Sequence, residues 1–165
     1  MSNLVPLTFP SLELFQHYGG DFKTYFSAIY NIFENHFIKN KTLFQGVHVT
    51  AKALPLVDGI HNTFYHITHE GEDEDNRTPD FRRMERIRYP EFMIVNSPND
   101  DLLIWKNKRG RDTKIVILNE SEEYVVVLTE RPGYNLFCTA YYIDKEHRKR
   151  KLMKEYQEYI NAKTA

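Results

Sequence analysis

The sequence predicts an α+β fold, and three features of its 165 residues carry that prediction. An amphipathic stretch follows Asp21. A train of short apolar segments separated by turn residues fills the second half, and a cation-rich segment closes the chain after Asp144. The length suits one domain able to bury its own core without disulfide or metal staples. Hydrophobic content of 41% and charged content of 27% fit an ordinary globular protein.

Residues 1–20 mix Pro, Ser, Gly and scattered apolar residues, and read as a loosely ordered lead-in to a single domain over 21–165. Asp21 is placed to cap a helix in which Phe22, Tyr25, Phe26, Ile29, Ile32, Phe33 and Phe37 recur at helical spacing, ending near Asn40. The β-branched and aromatic runs 47–51 and 63–68 predict strands, with the turn-like pair Asp58-Gly59 between them. The polar, acidic segment 69–79 reads as a surface loop. Thr78-Pro79-Asp80 then starts a helix through Phe81, Met84 and Ile87 that stops before Pro90.

Beyond Pro90 the expected strands are 91–95, 102–106, 113–118, 124–129 and 135–143, an antiparallel meander joined by turns such as Lys108-Arg109-Gly110 and Arg131-Pro132-Gly133. Asp144 caps a final helix to about Ala162.

Net charge is −1, so the whole chain is no general trap for polyanions, but the charge is unevenly spread. Residues 70–75 are acidic, whereas 82–88, 106–111 and 145–154 are basic. The aromatic share of 14%, almost all Tyr and Phe, suits both core filling and base stacking. A single cysteine, Cys138, excludes an intrachain disulfide and fits a reducing compartment. With no signal-peptide pattern and no apolar run of the roughly 20 residues that a membrane span needs, the expected location is the cytoplasm.

Several groups of residues suit chemistry on a polyanion. On a helix, Arg82, Glu85 and Arg86 share a face. Arg forks bind phosphate in bidentate fashion and a Glu among them can orient them, although the same pattern also makes a solvated face with an internal ion pair. Arg83 and Arg88 add to the same basic stretch. His66, in Phe64-Tyr65-His66-Ile67-Thr68, carries an imidazole whose ordinary pKa of about 6.5 suits general acid–base work, or a structural hydrogen bond. His61 and His69 lie near it, but no second His or Cys cluster completes a metal set, so neither metal nor cofactor is expected.

Trp105 and Lys106 end a strand as a base-stacking and phosphate-neutralising pair, or as a core Trp beside a solvated hairpin. By the two-residue period of the last strand, Leu136, Cys138 and Ala140 form a core face. Thr139 and Tyr141 then present hydroxyls on the other. The final helix carries Lys145, His147, Arg148, Lys149, Arg150 and Lys151 in its first turns. Cations there oppose the helix dipole, so a polyanion footprint is a better account than helix stability.

The order of these motifs is distinctive: Thr63-Phe-Tyr-His66, Arg77-Thr-Pro-Asp-Phe-Arg-Arg-Met-Glu-Arg-Ile-Arg88, Ile104-Trp-Lys-Asn-Lys-Arg109, Tyr124-Val-Val-Val-Leu-Thr-Glu-Arg131, and Cys138-Thr-Ala-Tyr-Tyr142 ahead of a basic helix. It resembles, over roughly residues 47–159, a bacterial and prophage-associated branch of the barnase–EndoU–colicin–RelE-like (BECR) nucleases. The resemblance implies an N-terminal helix on a curved antiparallel sheet of about five or six strands, an inserted Arg-rich helix and a C-terminal helix. It further implies a metal-independent RNA endonuclease, such as a toxin or phage-defence effector, in which a ribose 2′-OH attacks the adjacent phosphate.

In that reading His66 is the acid or base, Arg86 and Arg82 bind the scissile phosphate, and Glu85 orients them or acts as partner base. Thr139 and Tyr141 position the phosphate or a proton. Arg83, Arg88, Trp105, Lys106, Arg131, His147 and Arg148 contact RNA. The partners implied are RNA and an inhibitory antitoxin or immunity protein, with no membrane. A noncatalytic nucleic-acid-binding module and a mobile-element interaction protein are the alternatives.

Overall fold

The computed structural model describes residues 6–73 and 76–164. In chain order the elements are a 3-10 turn (Phe15–Tyr18), α1 (Phe22–Phe37), β1 (Thr42–Phe44), β2 (Val47–Ala51), α2 (Asn62–Thr68), β3 (His69–Glu70), β4 (Thr78–Pro79), α3 (Phe81–Glu85), α4 (Tyr89–Val95), β5 (Leu103–Arg109), β6 (Asp112–Asn119), β7 (Tyr124–Arg131), β8 (Tyr134–Tyr142) and α5 (Glu146–Thr164). This is an α+β fold: a six-stranded sheet in the order β1-β2-β8-β7-β6-β5, a small β3–β4 sheet, and helices at both ends of the chain.

Asp21 caps α1 as expected, accepting hydrogen bonds from the Lys23 amide at 3.2 Å and the Thr24 hydroxyl at 2.6 Å. Tyr25, Ile29, Phe33 and Phe37 recur every fourth residue and bury the helix against one face of the sheet, where Ile115, Ile117, Val126, Leu128 and Phe137 meet them. The opposite face carries Trp105, Val116, Leu118, Val125 and Val127, and α5 lies on it through Leu152, Met153, Tyr156 and Tyr159. Both faces are covered over much of the sheet. That explains why β6 and β7 read as continuous apolar runs with six buried residues in a row from Tyr124 to Thr129.

Strands β5 to β8 form the expected antiparallel meander. The sheet as a whole is mixed, because β2 pairs in parallel with β8 through Val49–Asn135, Thr50–Leu136 and Ala51–Phe137. β2 covers only the first part of β8. Beyond Phe137 its place beside β8 is taken by α2, whose Thr63 hydroxyl approaches the Phe137 carbonyl at 3.4 Å.

Four local expectations are corrected. Residues 63–68 form α2 and not a strand. Their β-branched and aromatic content is accommodated because Phe64 and Ile67 pack among Phe26, Tyr30 and Phe33, and the Thr68 hydroxyl returns its proton to the Phe64 carbonyl at 2.8 Å. Residues 91–95 belong to α4: Pro90 opens a helix at its first turn, where its missing N–H is no loss. The Arg-rich helix is correspondingly short, α3 ending at Glu85 with Arg86 as its C-cap. Its N-cap is Asp80 and not Thr78, which lies in β4.

The fourth correction concerns residues 6–20, which are not loose. Leu7, Phe9, Leu12 and Phe15 pack on the core, Phe9 against Tyr89 and Phe92 and Phe15 against Tyr25 and Phe81. The Glu13 amide donates to the Glu85 carbonyl at 2.9 Å, and Glu13 accepts from Arg88 Nε at 2.6 Å. The enrichment in Pro, Ser and Gly hid an apolar spacing that a strap without regular structure can still bury. Met1 to Val5, Glu74 and Asp75 lie outside the described residues.

Candidate nucleic-acid groove

A β-bulge shapes the site. Val127 pairs with Thr139 and Leu128 with Phe137, which leaves Cys138 as the extra residue of β8. The bulge shifts the two-residue alternation by one position. Phe137 and Ala140, three apart, therefore both enter the α1-facing core, and Thr139 and Tyr141 turn to the face that α5 only partly covers. The expected core trio Leu136, Cys138 and Ala140 is corrected accordingly: only Ala140 of the three is fully buried.

On that face two pockets flank His66 of α2. One, of about 410 Å³, is lined from β8 by Thr139 and Tyr141, from the β3–β4 hairpin by Glu70, Gly71, Glu72 and Arg77, from α3 by Arg83, and from the start of α5 by Asp144, Lys145 and Arg148. The other, of about 280 Å³, holds Lys52, Asn62 and Thr63 on the α2 side. Across the sheet it is lined by Lys114, Thr129, Arg131, Leu136 and Cys138. His66 borders both. Helix geometry explains its position: Phe64, Ile67 and Thr68 make the buried stripe of α2, and His66 projects away from it, half-buried.

Arg83 is held from three sides. Its amide lies 3.4 Å from the Asp80 carboxylate, its Nε is 3.4 Å from the other oxygen of that carboxylate, and its Nη1 donates to the His66 carbonyl at 3.4 Å. Asp80 is buried, caps α3 through the Arg82 amide at 2.9 Å, and also accepts from the Tyr142 hydroxyl at 3.1 Å. Nε of Arg77 is buried without a hydrogen-bond partner, and that of Arg83 faces the Asp80 carboxylate without a hydrogen bond to it. Burial pushes the Tyr141 phenol above its ordinary value, so it stays protonated and can donate.

In the second pocket Lys114 Nζ donates to the Thr129 hydroxyl at 2.6 Å and lies 3.6 Å from Cys138 Sγ. Arg131 Nη1 donates to Asp112 at 3.1 Å.

Of the expected site residues, the structure gathers His66, Arg83, Thr139, Tyr141, Arg131 and Arg148 along this groove. Others lie elsewhere. Arg86 and Arg82 stack over the Tyr142 ring at 5.6 and 5.7 Å, and Glu85 pairs with Arg86 at 3.6 Å, because the short α3 turns its Arg83 face, and not its Arg82–Glu85–Arg86 face, to His66. Arg88 is spent on Glu13. Burial alone would raise that carboxyl, but the hydrogen bonds from Arg88 and Tyr18 hold it below its ordinary value.

Trp105 is buried beneath α5, with Nε1 3.3 Å from Glu155, and is closed to a base. Lys106 pairs with Glu130 on the α1-facing side, since it alternates with Trp105 along β5. His147 is exposed on the first turn of α5 and lines neither pocket.

Sequence reading missed Arg77, Lys52 and Lys114. Lys114 was hidden inside an apolar strand, and its lone cation among β-branched residues was the signal. Among the described residues no group of three or more His, Cys, Asp or Glu side chains could hold a metal ion, and no helix is long and apolar enough to cross a membrane.

No protein-family model, curated protein or solved structure matches the chain. Its class therefore rests on the fold and the groove: an α+β protein in which an imidazole on α2, beside the sheet, is flanked on both sides by guanidinium and ammonium groups.

Proposed function

We propose that the groove binds single-stranded RNA and cleaves it, with His66 as the proton-transferring group. The observation that carries this reading is the position of His66 between two cation-lined pockets, with Thr139, Tyr141 and Arg83 at one side of it. It also agrees with the BECR-like order of motifs in the sequence. An imidazole at the point where the cations converge can move a proton, a capacity that binding alone does not require.

In the proposed reaction the ribose 2′-oxygen forms a bond to the adjacent phosphorus as the bond from phosphorus to the 5′-oxygen breaks. The 2′-OH proton passes to the His66 imidazole, and the departing 5′-oxygen takes a proton from water. Arg83 and Arg148 neutralise the non-bridging oxygens of the phosphorane, and the Thr139 and Tyr141 hydroxyls orient it. These side chains supply the charge that a metal ion would otherwise supply, so cleavage is expected in EDTA. The products are a 2′,3′-cyclic phosphate and a 5′-hydroxyl. A cytoplasmic location and an inhibitory antitoxin-like partner belong to the same proposal, supported by the single cysteine and by the hazard of an unrestrained RNase.

The test is single-stranded RNA incubated with the protein and its variants in EDTA. Wild type should leave cyclic-phosphate ends, His66→Ala should slow cleavage by about 10²–10⁴-fold, and Arg83→Ala by about 10²–10³-fold. Arg86→Ala should stay within a few fold of wild type. An inert wild type, or cleavage indifferent to His66→Ala in a variant that melts normally, would refute the assignment. Salt-sensitive binding with no product would favour a noncatalytic binding module.

A further inference from the structure

The two sides of the groove are not electrostatically alike. On the Tyr141 side, Arg77, Arg83, Lys145 and Arg148 face Glu70, Glu72 and Asp144, and Arg83 is also paired with Asp80. Cations and carboxylates are there balanced. On the Lys114 side, Lys52, Lys114 and Arg131 line the pocket, and among the described residues none that lines it is acidic. The carboxylate beside it is Asp112, 3.1 Å from Arg131 and 3.9 Å from Lys114. Three cations to one carboxylate leave this side positive.

Hydroxyl and amide groups accompany the charge. Thr129 is fully buried and accepts from Lys114, Thr63 bridges the Lys52 backbone, and Asn62 completes the wall. Lys114 is thereby held in the pocket wall by Thr129 and Cys138, which leaves one proton of its ammonium group beyond these two contacts. A fixed cation in the wall of a polar pocket suits a phosphate better than a base.

We infer that the Lys52–Lys114–Arg131 pocket is a second phosphate subsite, which holds the phosphate next to the scissile one while His66 works on its neighbour. The substrate is then an RNA chain long enough to place one phosphate on each side of His66, and a dinucleotide with a single phosphate is a poor substrate. This inference rests on the proposed RNA cleavage only for its kinetic arm; its binding arm stands apart.

In the kinetic arm, wild type and Lys114→Gln are compared on a dinucleotide and on trinucleotides that extend it by one phosphate on either side. The extension should raise kcat/KM of wild type by about tenfold, the scale of one charge-assisted contact, and should bring no gain in Lys114→Gln. In the binding arm, a 2′-deoxy oligonucleotide that cannot be cleaved is titrated at several salt concentrations. Lys114→Gln should flatten the slope of log K against log salt by about 0.7, the loss of one single-strand phosphate contact. Lys52 is exposed, so Lys52→Gln repeats both arms without disturbing the buried Thr129 contact, and thermal melts identify a variant that has simply lost its fold.

Cleavage that is equal on all lengths and unaffected by either variant overturns the subsite and leaves the RNase reading intact. A wild type that cleaves nothing but shows the expected slope change overturns the RNase reading and upholds the subsite. An unchanged slope in both variants overturns the subsite whatever the kinetics show.

Discussion

His66 and His69, three residues apart, have opposite surroundings. His66 faces the groove, whereas His69, the C-cap of α2, is buried and stacked on Tyr65 with ring centroids 4.3 Å apart. His69 Nδ1 lies 2.9 Å from the Thr68 hydroxyl and 3.1 Å from the Tyr65 carbonyl. The Thr68 hydroxyl already donates to Phe64, so the neutral Nδ1–H tautomer satisfies both acceptors. Burial depresses the pKa of His69 below 6.5, and does the same for His36 and His61. The unfolded chain then binds more protons than the folded one just below pH 6.5, so stability is fully present above that pH and falls as the medium is acidified through it. Urea unfolding at pH 7.5 and pH 5.5 should show the loss, and His69→Gln should lose less over the same interval than wild type. Equal losses would mean that His69 titrates alike in both states.

At the scale of elements, the groove depends on two short devices, the α3 cap and the β8 bulge. Asp80 holds α3, Arg83 and Tyr142 together, so Asp80→Ala should lower stability by about 1–2 kcal/mol through the cap alone, and should weaken RNA affinity as Arg83 loses its anchor. Asp80→Asn keeps a capping oxygen and should recover most of the stability but not the affinity. Matching effects of the two variants on melting and on binding would separate Asp80 from the groove.

How far these devices were legible follows from their physics. The α1 stripe, four of the five expected meander strands and the Asp21 cap are written in the local sequence, in periodicity and in a capping residue, and the structure has them. The bulge was not, because an extra residue in β8 leaves no local trace: it is set by the partner strand, and it puts Phe137 in the core in place of Leu136 and Cys138, while Ala140 keeps its core position and Thr139 and Tyr141 keep the opposite face. The α2 helix was hidden for a similar reason, its Thr63–Phe64–Tyr65 run favouring a strand until the aromatic side of α1 packs over it. His66 was legible as chemistry. Its neighbour on α3 was not, since whether Arg83 or Arg86 meets it depends on where that helix stops.

For the whole molecule, the long-range tie is the N-terminal strap. Residues 6–20 run over α3 and α4: Phe15 meets Phe81, Phe9 meets Tyr89 and Phe92, the Glu13 amide bonds the Glu85 carbonyl, and Glu13 holds Arg88. Among the described residues none of the strap lines the groove, yet the strap clamps the helix that delivers Arg83. Its apolar side chains are partly buried, so each contributes less than the roughly 1.5–3 kcal/mol of a fully buried one, and the half-buried Arg88–Glu13 pair adds on the order of 1 kcal/mol. Four such side chains, Leu7, Phe9, Leu12 and Phe15, together reach on the order of 4 kcal/mol, a large share of a typical domain's stability. A chain begun at Asp21 should therefore melt about 10 °C lower than the full sequence. Assayed well below its melting point, it should also lose RNA affinity in proportion to the loosening of α3, with Arg83→Ala then costing it less than it costs the full chain. A truncated chain that melts within about 2 °C of the full one would show the strap to be energetically idle, and an undiminished Arg83→Ala effect would show that α3 holds its place without it.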